Sequence, residues 1–190
     1  DFVQKLWPAR TGGRLRLDPF EGAEPAAVPA AGFLWSAAAA AGRSVRNYGV
    51  WVGRGPDGQP RAEDPALAAI TNFDYPGFDL SIPDGRRVEA FLADWKRLDE
   101  AGQLPRLSLV YLPIGHTAGR SSGFPTPRAM MAEHDDALGR LVEGVSHSRA
   151  WEKTLVLIVE DDAQDGADHV DSHRTICLIA SPWARRGVRD

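Results

Sequence analysis

Three short, nearly unbroken apolar runs most constrain the fold of this chain. They are Leu-Ser-Leu-Val-Tyr-Leu at 107–112, Thr-Leu-Val-Leu-Ile-Val at 154–159 and Thr-Ile-Cys-Leu-Ile-Ala at 175–180. A strand covered on both faces reads this way, whereas a half-exposed strand alternates apolar and polar residues. The segments around them carry a different period. Over 84–101, Val88, Phe91, Leu92, Trp95 and Leu98 recur at helical spacing on one face, with Asp84 placed to cap the start and Gly102 to end it. Over 126–147, Thr126 is the expected N-cap with Pro127 at the first helical position, and Met130, Leu138, Leu141, Val142 and Val145 form the apolar stripe. Helices alternating with apolar strands predict an α/β fold with a mostly parallel sheet covered by helices.

Upstream the pattern is weaker. The alanine-rich 33–41 reads as a short helix ended by Gly42, and 44–52 reads as a strand. The stretch 53–65 reads as a polar loop, and 67–83 is ambiguous because Pro76-Gly77 interrupts it. Residues 1–32, rich in Pro and Gly, read as a loop or extended arm. No repeat and no second domain boundary is visible, so 1–190 is read as one unit. No apolar stretch is long enough for a transmembrane helix. With 22 basic and 26 acidic side chains, the net charge of −4 argues against a nucleic-acid binder relying on a general basic surface. The single cysteine, Cys177, excludes an internal disulfide framework and a Cys-rich zinc site.

In open α/β sheets, ligands bind beyond the carboxyl ends of strands. Two segments that leave such ends carry titratable groups. One holds His116. The other, 160–173, holds the six acids Glu160, Asp161, Asp162, Asp165, Asp168 and Asp171 with His169 and His173, and no base. Without those six, 20 acids face 22 bases, so the acidity of the chain is local. Crowded carboxylates repel one another unless neutralised, and a divalent cation bound by carboxylate oxygen and imidazole nitrogen does this. A solvated acidic loop is the plain alternative. His134 and His147 read as surface or helix-end residues.

Three motif readings compete. A calcium EF-hand starting at Asp161 fails, because Ala163 and Ser172 stand where ligands are needed. A zincin helix fails, because Val170 stands between His169 and His173 where its base belongs. Gly119-Arg-Ser-Ser-Gly123 matches a nucleophile elbow, and Ser121, Asp161 and His173 follow triad order, but the tight strand-to-helix turn is not evident.

The segment Glu160-Asp-Asp-Ala-Gln-Asp-Gly-Ala-Asp-His-Val-Asp-Ser-His-Arg174, followed by an apolar strand and Ser181-Pro182, resembles the bacterial phosphoesterases of the alkaline phosphatase superfamily. That group includes phospholipase C and acid phosphatase enzymes. The closest likeness is to the alkaline-phosphatase-like domains found behind a β-propeller. Gly32-Phe-Leu-Trp35, Arg46-Asn-Tyr-Gly49, Leu112-Pro113 with His116-Thr-Ala-Gly119, and Gly123-Phe-Pro-Thr-Pro-Arg128 match as well. The resemblance implies a metal-dependent phosphate-ester hydrolase with one or two divalent ions (zinc, manganese or calcium). By this likeness Asp161 and Asp162 match the metal-binding acidic pair, and His116 matches the histidine of a middle metal motif. His173 matches the downstream histidine segment, with His169, Asp168 and Arg174 as substrate, phosphate or supporting metal contacts. A phosphate-ester small molecule or lipid is the implied substrate, a β-propeller the implied companion domain, and a periplasmic or secreted location the implied compartment.

Two departures stand out. The family motif Pro-Asn-Asp-His-Thr reads Pro113-Ile-Gly-His-Thr117 here, so Gly115 replaces an acid. The family's early Glu-Asn motif and its Ser or Thr nucleophile are expected upstream of Asp1, and further helix beyond Ser181-Pro182, which makes the chain the C-terminal part of a metal site in a domain truncated at both ends. A non-catalytic remnant that keeps the metal loop, and a serine hydrolase using Ser121, remain as alternatives.

Overall fold

The computed structural model describes residues 29–161, 175–185 and 187. Within them lie four helices and six strands. In chain order these are α1 (Leu34–Ala40), β1 (Val45–Tyr48), β2 (Val52–Arg54), β3 (Pro60–Ala62), α2 (Pro65–Ala68), α3 (Asp84–Glu100), β4 (Leu107–Val110), α4 (Pro127–Ser146), β5 (Val156–Val159) and β6 (Cys177–Ala180). Short 3-10 turns at Pro113–His116 and Trp151–Lys153 follow β4 and α4.

The fold is α/β, with a small parallel sheet and helices. β1 pairs parallel with β4, from Val45 opposite Leu107 to Tyr48 opposite Val110. A parallel bridge from Asn47 to Thr71 extends β1 on its other side. Asn47 is fully buried and satisfied: its Nδ2 donates to the Val50 carbonyl and to Thr71 Oγ1, each at 2.9 Å. The strand expected over 44–52 is therefore two strands. Between them the chain turns at Gly49 and at Trp51, both with positive φ. A side chain at Gly49 would meet the Tyr75 ring, so close packing also requires glycine there.

The polar loop expected over 53–65 contains an antiparallel hairpin instead, β2 with β3, turning through Gly55–Gly58. Its three-residue strands, one beginning with Pro60, carry no alternating pattern to betray them.

The core lies between the parallel pair and the α3–α4 helix pair. Tyr48, Tyr75, Val88, Phe91, Trp95, Ala137, Leu141 and Val145 form it, with Val110, Leu112 and Val156 packed alongside. Phe91 meets Tyr48 edge to face at 4.9 Å. Both helices bury most of the apolar stripe expected of them, with Leu92, Leu138 and Val142 half-buried, and their close approach is set at Gly144, where a Cβ would strike Leu92. Asp94 ties α3 to β1 by accepting from Arg46, from the Tyr48 hydroxyl and from Arg97. Burial opposes its charge, but these donors prevail and hold its carboxyl below the usual range.

The strands at the C-terminal side depart from expectation. β5 pairs antiparallel with β6 rather than parallel with a neighbour, and neither is buried on both faces. Leu157, Val159 and Ile179 are 58%, 65% and 56% exposed. Among the described residues no third strand pairs with either.

Candidate functional site

Two strand ends carry the residues of interest. After β4 the chain enters the Pro113–His116 turn. There His116 is exposed, and its Nδ1–H donates to the Thr117 carbonyl at 2.9 Å. This bond leaves the Nε2 lone pair free, the form in which a neutral imidazole binds a metal. Thr117 reaches this geometry with φ 58 and ψ 165, a region nearly restricted to glycine. Holding it there costs on the order of 1–3 kcal/mol. Phe78 closes one side of the His116 ring, edge to face at 5.7 Å.

The second strand end is that of β5. The β5–β6 ladder continues past the strands: Glu160 N–H donates to the Ile176 carbonyl, and Thr175 Oγ1 donates to the Glu160 carbonyl at 2.9 Å. The two ends of the acidic segment are thus pinned side by side, and Asp161 leaves from that anchor, exposed. Asp162, Asp168, His169, His173 and Arg174 lie outside the described residues. Among the described residues no group of three His, Cys, Asp or Glu is arranged to hold a metal ion. What is described fits part of such a site: one imidazole with its Nε2 lone pair free, and one carboxylate just past a strand end.

A buried polar network beneath His116 was not foreseen. Asp84 does not cap α3. It is the first residue of that helix, its side chain turned inward and fully buried. One carboxylate oxygen accepts from His134 Nδ1 at 2.8 Å and from the Ile114 N–H at 3.2 Å. The other accepts from Arg87 Nη1 at 3.2 Å. Arg87, also fully buried, donates further to the carbonyls of Pro76, Gly77, Asp79 and Ile82, clasping the loop that carries Phe78. The helix cap comes from α4 instead: Glu133 accepts the N–H groups of Asp84 and Gly85 at 3.1 and 2.7 Å. A carboxylate at a helix N-terminus satisfies orphan donors and suits the helix dipole. His134, expected on the surface, is only 25% exposed. His147 does lie at the end of its helix, exposed, as expected.

The bond to Asp84 raises the His134 pKa above the ordinary imidazole value of 6.5; burial opposes this, and the charges of Asp84, Glu133 and Asp135 add to it. A raised folded-state value means the pair's stabilisation is complete below about 6.5 and is lost as pH rises through the folded value. Denaturant unfolding across the neutral range should show stability falling on the alkaline side, and H134N should flatten that fall. An unchanged slope in H134N would separate His134 from the effect.

Ser121 lies in a turn closed by its own N–H on the Ala118 carbonyl, adjoining neither the end of β4 nor the start of α4. It is not on a strand-to-helix elbow.

The α/β architecture, a small parallel sheet with helices, is consistent with an alkaline-phosphatase-like fold. A family model described as type I phosphodiesterase / nucleotide pyrophosphatase matches residues 7–178. The chain belongs to that family. No curated protein and no solved structure matches it. No described helix is long and apolar enough to cross a membrane.

Proposed function

We propose that this chain forms part of a divalent-metal-dependent phosphate-ester hydrolase, with Asp161, Asp162, His173 and His116 as metal ligands. His169, Asp168 and Arg174 would contact phosphate or support the ligands. The family match over residues 7–178 carries the reading, since phosphodiester and pyrophosphate bonds are the substrates its description names. A bound divalent ion supplies charge stabilisation on the phosphoryl group and lowers the pKa of a nucleophile. The chain's own part is to hold the His116 ring with Nε2 free and to anchor Asp161 at a strand end.

The exposed apolar side chains of β5 and β6 call for a further covering segment, and the finer reading is that the chain is the C-terminal part of a larger site with its nucleophile on another segment. The phospholipase C and acid phosphatase branch, and a neighbouring β-propeller, belong to this same proposal. Gly115, standing where the branch carries an acid, favours one second reading: a remnant that binds metal without turnover.

Hydrolysis of p-nitrophenyl phosphate and its bis-ester, with and without EDTA, tests this. Little turnover is expected from the 190-residue chain alone. Supplied with a segment that carries the nucleophile, it should turn over in a manner that EDTA abolishes and added metal restores. EDTA-resistant hydrolysis lost in S121A would overturn the proposal in favour of a serine hydrolase. Metal binding without turnover by the extended protein would overturn it in favour of the remnant.

A further inference from the structure

We propose that His134 is a positioning residue for His116, an inference that rests on the reading of His116 as a metal ligand. Three observations converge. The Asp84 oxygen that accepts from His134 Nδ1 also accepts from Ile114 N–H, so one atom joins the ring on α4 to the turn ending in His116. The His134 ring lies directly over Gly115: a Cβ built there would touch its Cε1 and Nε2 at 3.6 Å. The ring therefore occupies the space beside the position from which the absent acid would project. Finally, Asp84 binds Arg87, which holds the Gly77 and Asp79 carbonyls on either side of Phe78, the ring against His116.

His116 is thus braced twice from one buried carboxylate. The turn is held through Ile114 and the His134 ring, and the Phe78 wall through Arg87. His134 is the partly exposed partner of Asp84, and Arg87 still pairs that buried carboxylate when His134 is changed. Its role is to keep the Pro113–His116 turn seated so that the Nδ1–H of His116 stays on the Thr117 carbonyl.

The test is the tautomer of His116, read from imidazole ¹⁵N shifts of the metal-free chain at a pH where His116 is neutral. Asparagine places an amide nitrogen near the Nδ1 position of histidine and can keep the Asp84 bond; leucine cannot. The wild-type chain and H134N should both show the Nδ1–H form of His116. H134L should lower its proportion relative to the Nε2–H form at least about twofold, and weaken Mn²⁺ binding about tenfold, the lower end of the usual effect of losing a supporting contact. Should H134L fail to fold, H134Q replaces it, since its amide reaches the Nε2 rather than the Nδ1 position. Unchanged His116 shifts in H134L or H134Q would overturn the proposal, as would H134N disturbing them equally. H116A is the separate control: undiminished Mn²⁺ affinity there would overturn His116 as a ligand, while the tautomer comparison decides the positioning role on its own.

Discussion

Replacing Arg87 with methionine should destabilise the protein by about 3–5 kcal/mol, the usual cost of breaking a buried ion pair by removing one partner. Arg87 and Asp84 are both fully buried, so neither charge has water to fall back on. Without the guanidinium, Asp84 keeps its bonds from Ile114 and His134 but loses its permanent counter-charge. Four carbonyls, those of Pro76, Gly77, Asp79 and Ile82, lose the guanidinium at the same time, and of these the Asp79 carbonyl keeps the Ile82 N–H. Lysine would restore the charge but not the planar fork that reaches several carbonyls at once, so R87K should also be costly. A loss of this size is a large fraction of the total stability of an ordinary domain, about 5–15 kcal/mol. The double variant D84N/R87M should lose less than R87M alone, because it strands no charge. Urea denaturation measures both. A cost below about 1 kcal/mol for R87M would show the pair to be exposed in solution.

The second large effect is expected at the acidic segment. D161A and D162A should each abolish measurable Zn²⁺ or Mn²⁺ binding by calorimetry. On the proposed reading, each removes a charged oxygen ligand from a site already short of one carboxylate at Gly115, and the remaining acids are then insufficiently paired with the ion. D57A, in the β2–β3 turn, is the control, since its carboxylate accepts from the Gln59 N–H in a different part of the chain. Its affinity should equal that of the wild type. Unchanged affinity in both D161A and D162A would remove the metal from this segment.

Much of this fold was legible because its helices are long and periodic. α3 and α4 lie within a residue or two of the expected bounds, and Val88, Phe91, Trp95, Leu98, Met130, Leu141 and Val145 are buried as their spacing requires. The positions of β1, β4, β5 and β6 were legible too, but not the pairing of β5 with β6. The run at 154–159 cannot reveal that β5 meets β6 antiparallel and stays half exposed, since an apolar run encodes a tendency to be covered and not what covers it. The β2–β3 hairpin was hidden because three residues are too few to show a period. The brace beneath His116 was hidden for another reason. Asp84 with Ile114, His134 with Asp84, and Glu133 with Gly85 are partners about 30 to 50 residues apart, and a single sequence carries no signal for such pairs. The rule that read Asp84 as a cap was sound locally. It was overridden by a carboxylate arriving from α4, which freed Asp84 to turn inward. At the candidate site, the sequence singled out His116 and Asp161, and each does leave the carboxyl end of a strand. Their support could be read only from coordinates.

On the proposed reading, the segments after β4 and β5 share one divalent ion. Paramagnetic broadening by Mn²⁺ tests it most directly, because the effect falls steeply with distance from the bound ion. Substoichiometric Mn²⁺ should broaden the imidazole signals of His116 and the backbone signal of Asp161 together, leave Gly102, about 25 Å along α3 from Asp84, sharp, and lose both effects in D161A. Broadening at Asp161 with His116 unaffected, or no selective broadening at all, would show that the two segments do not share an ion.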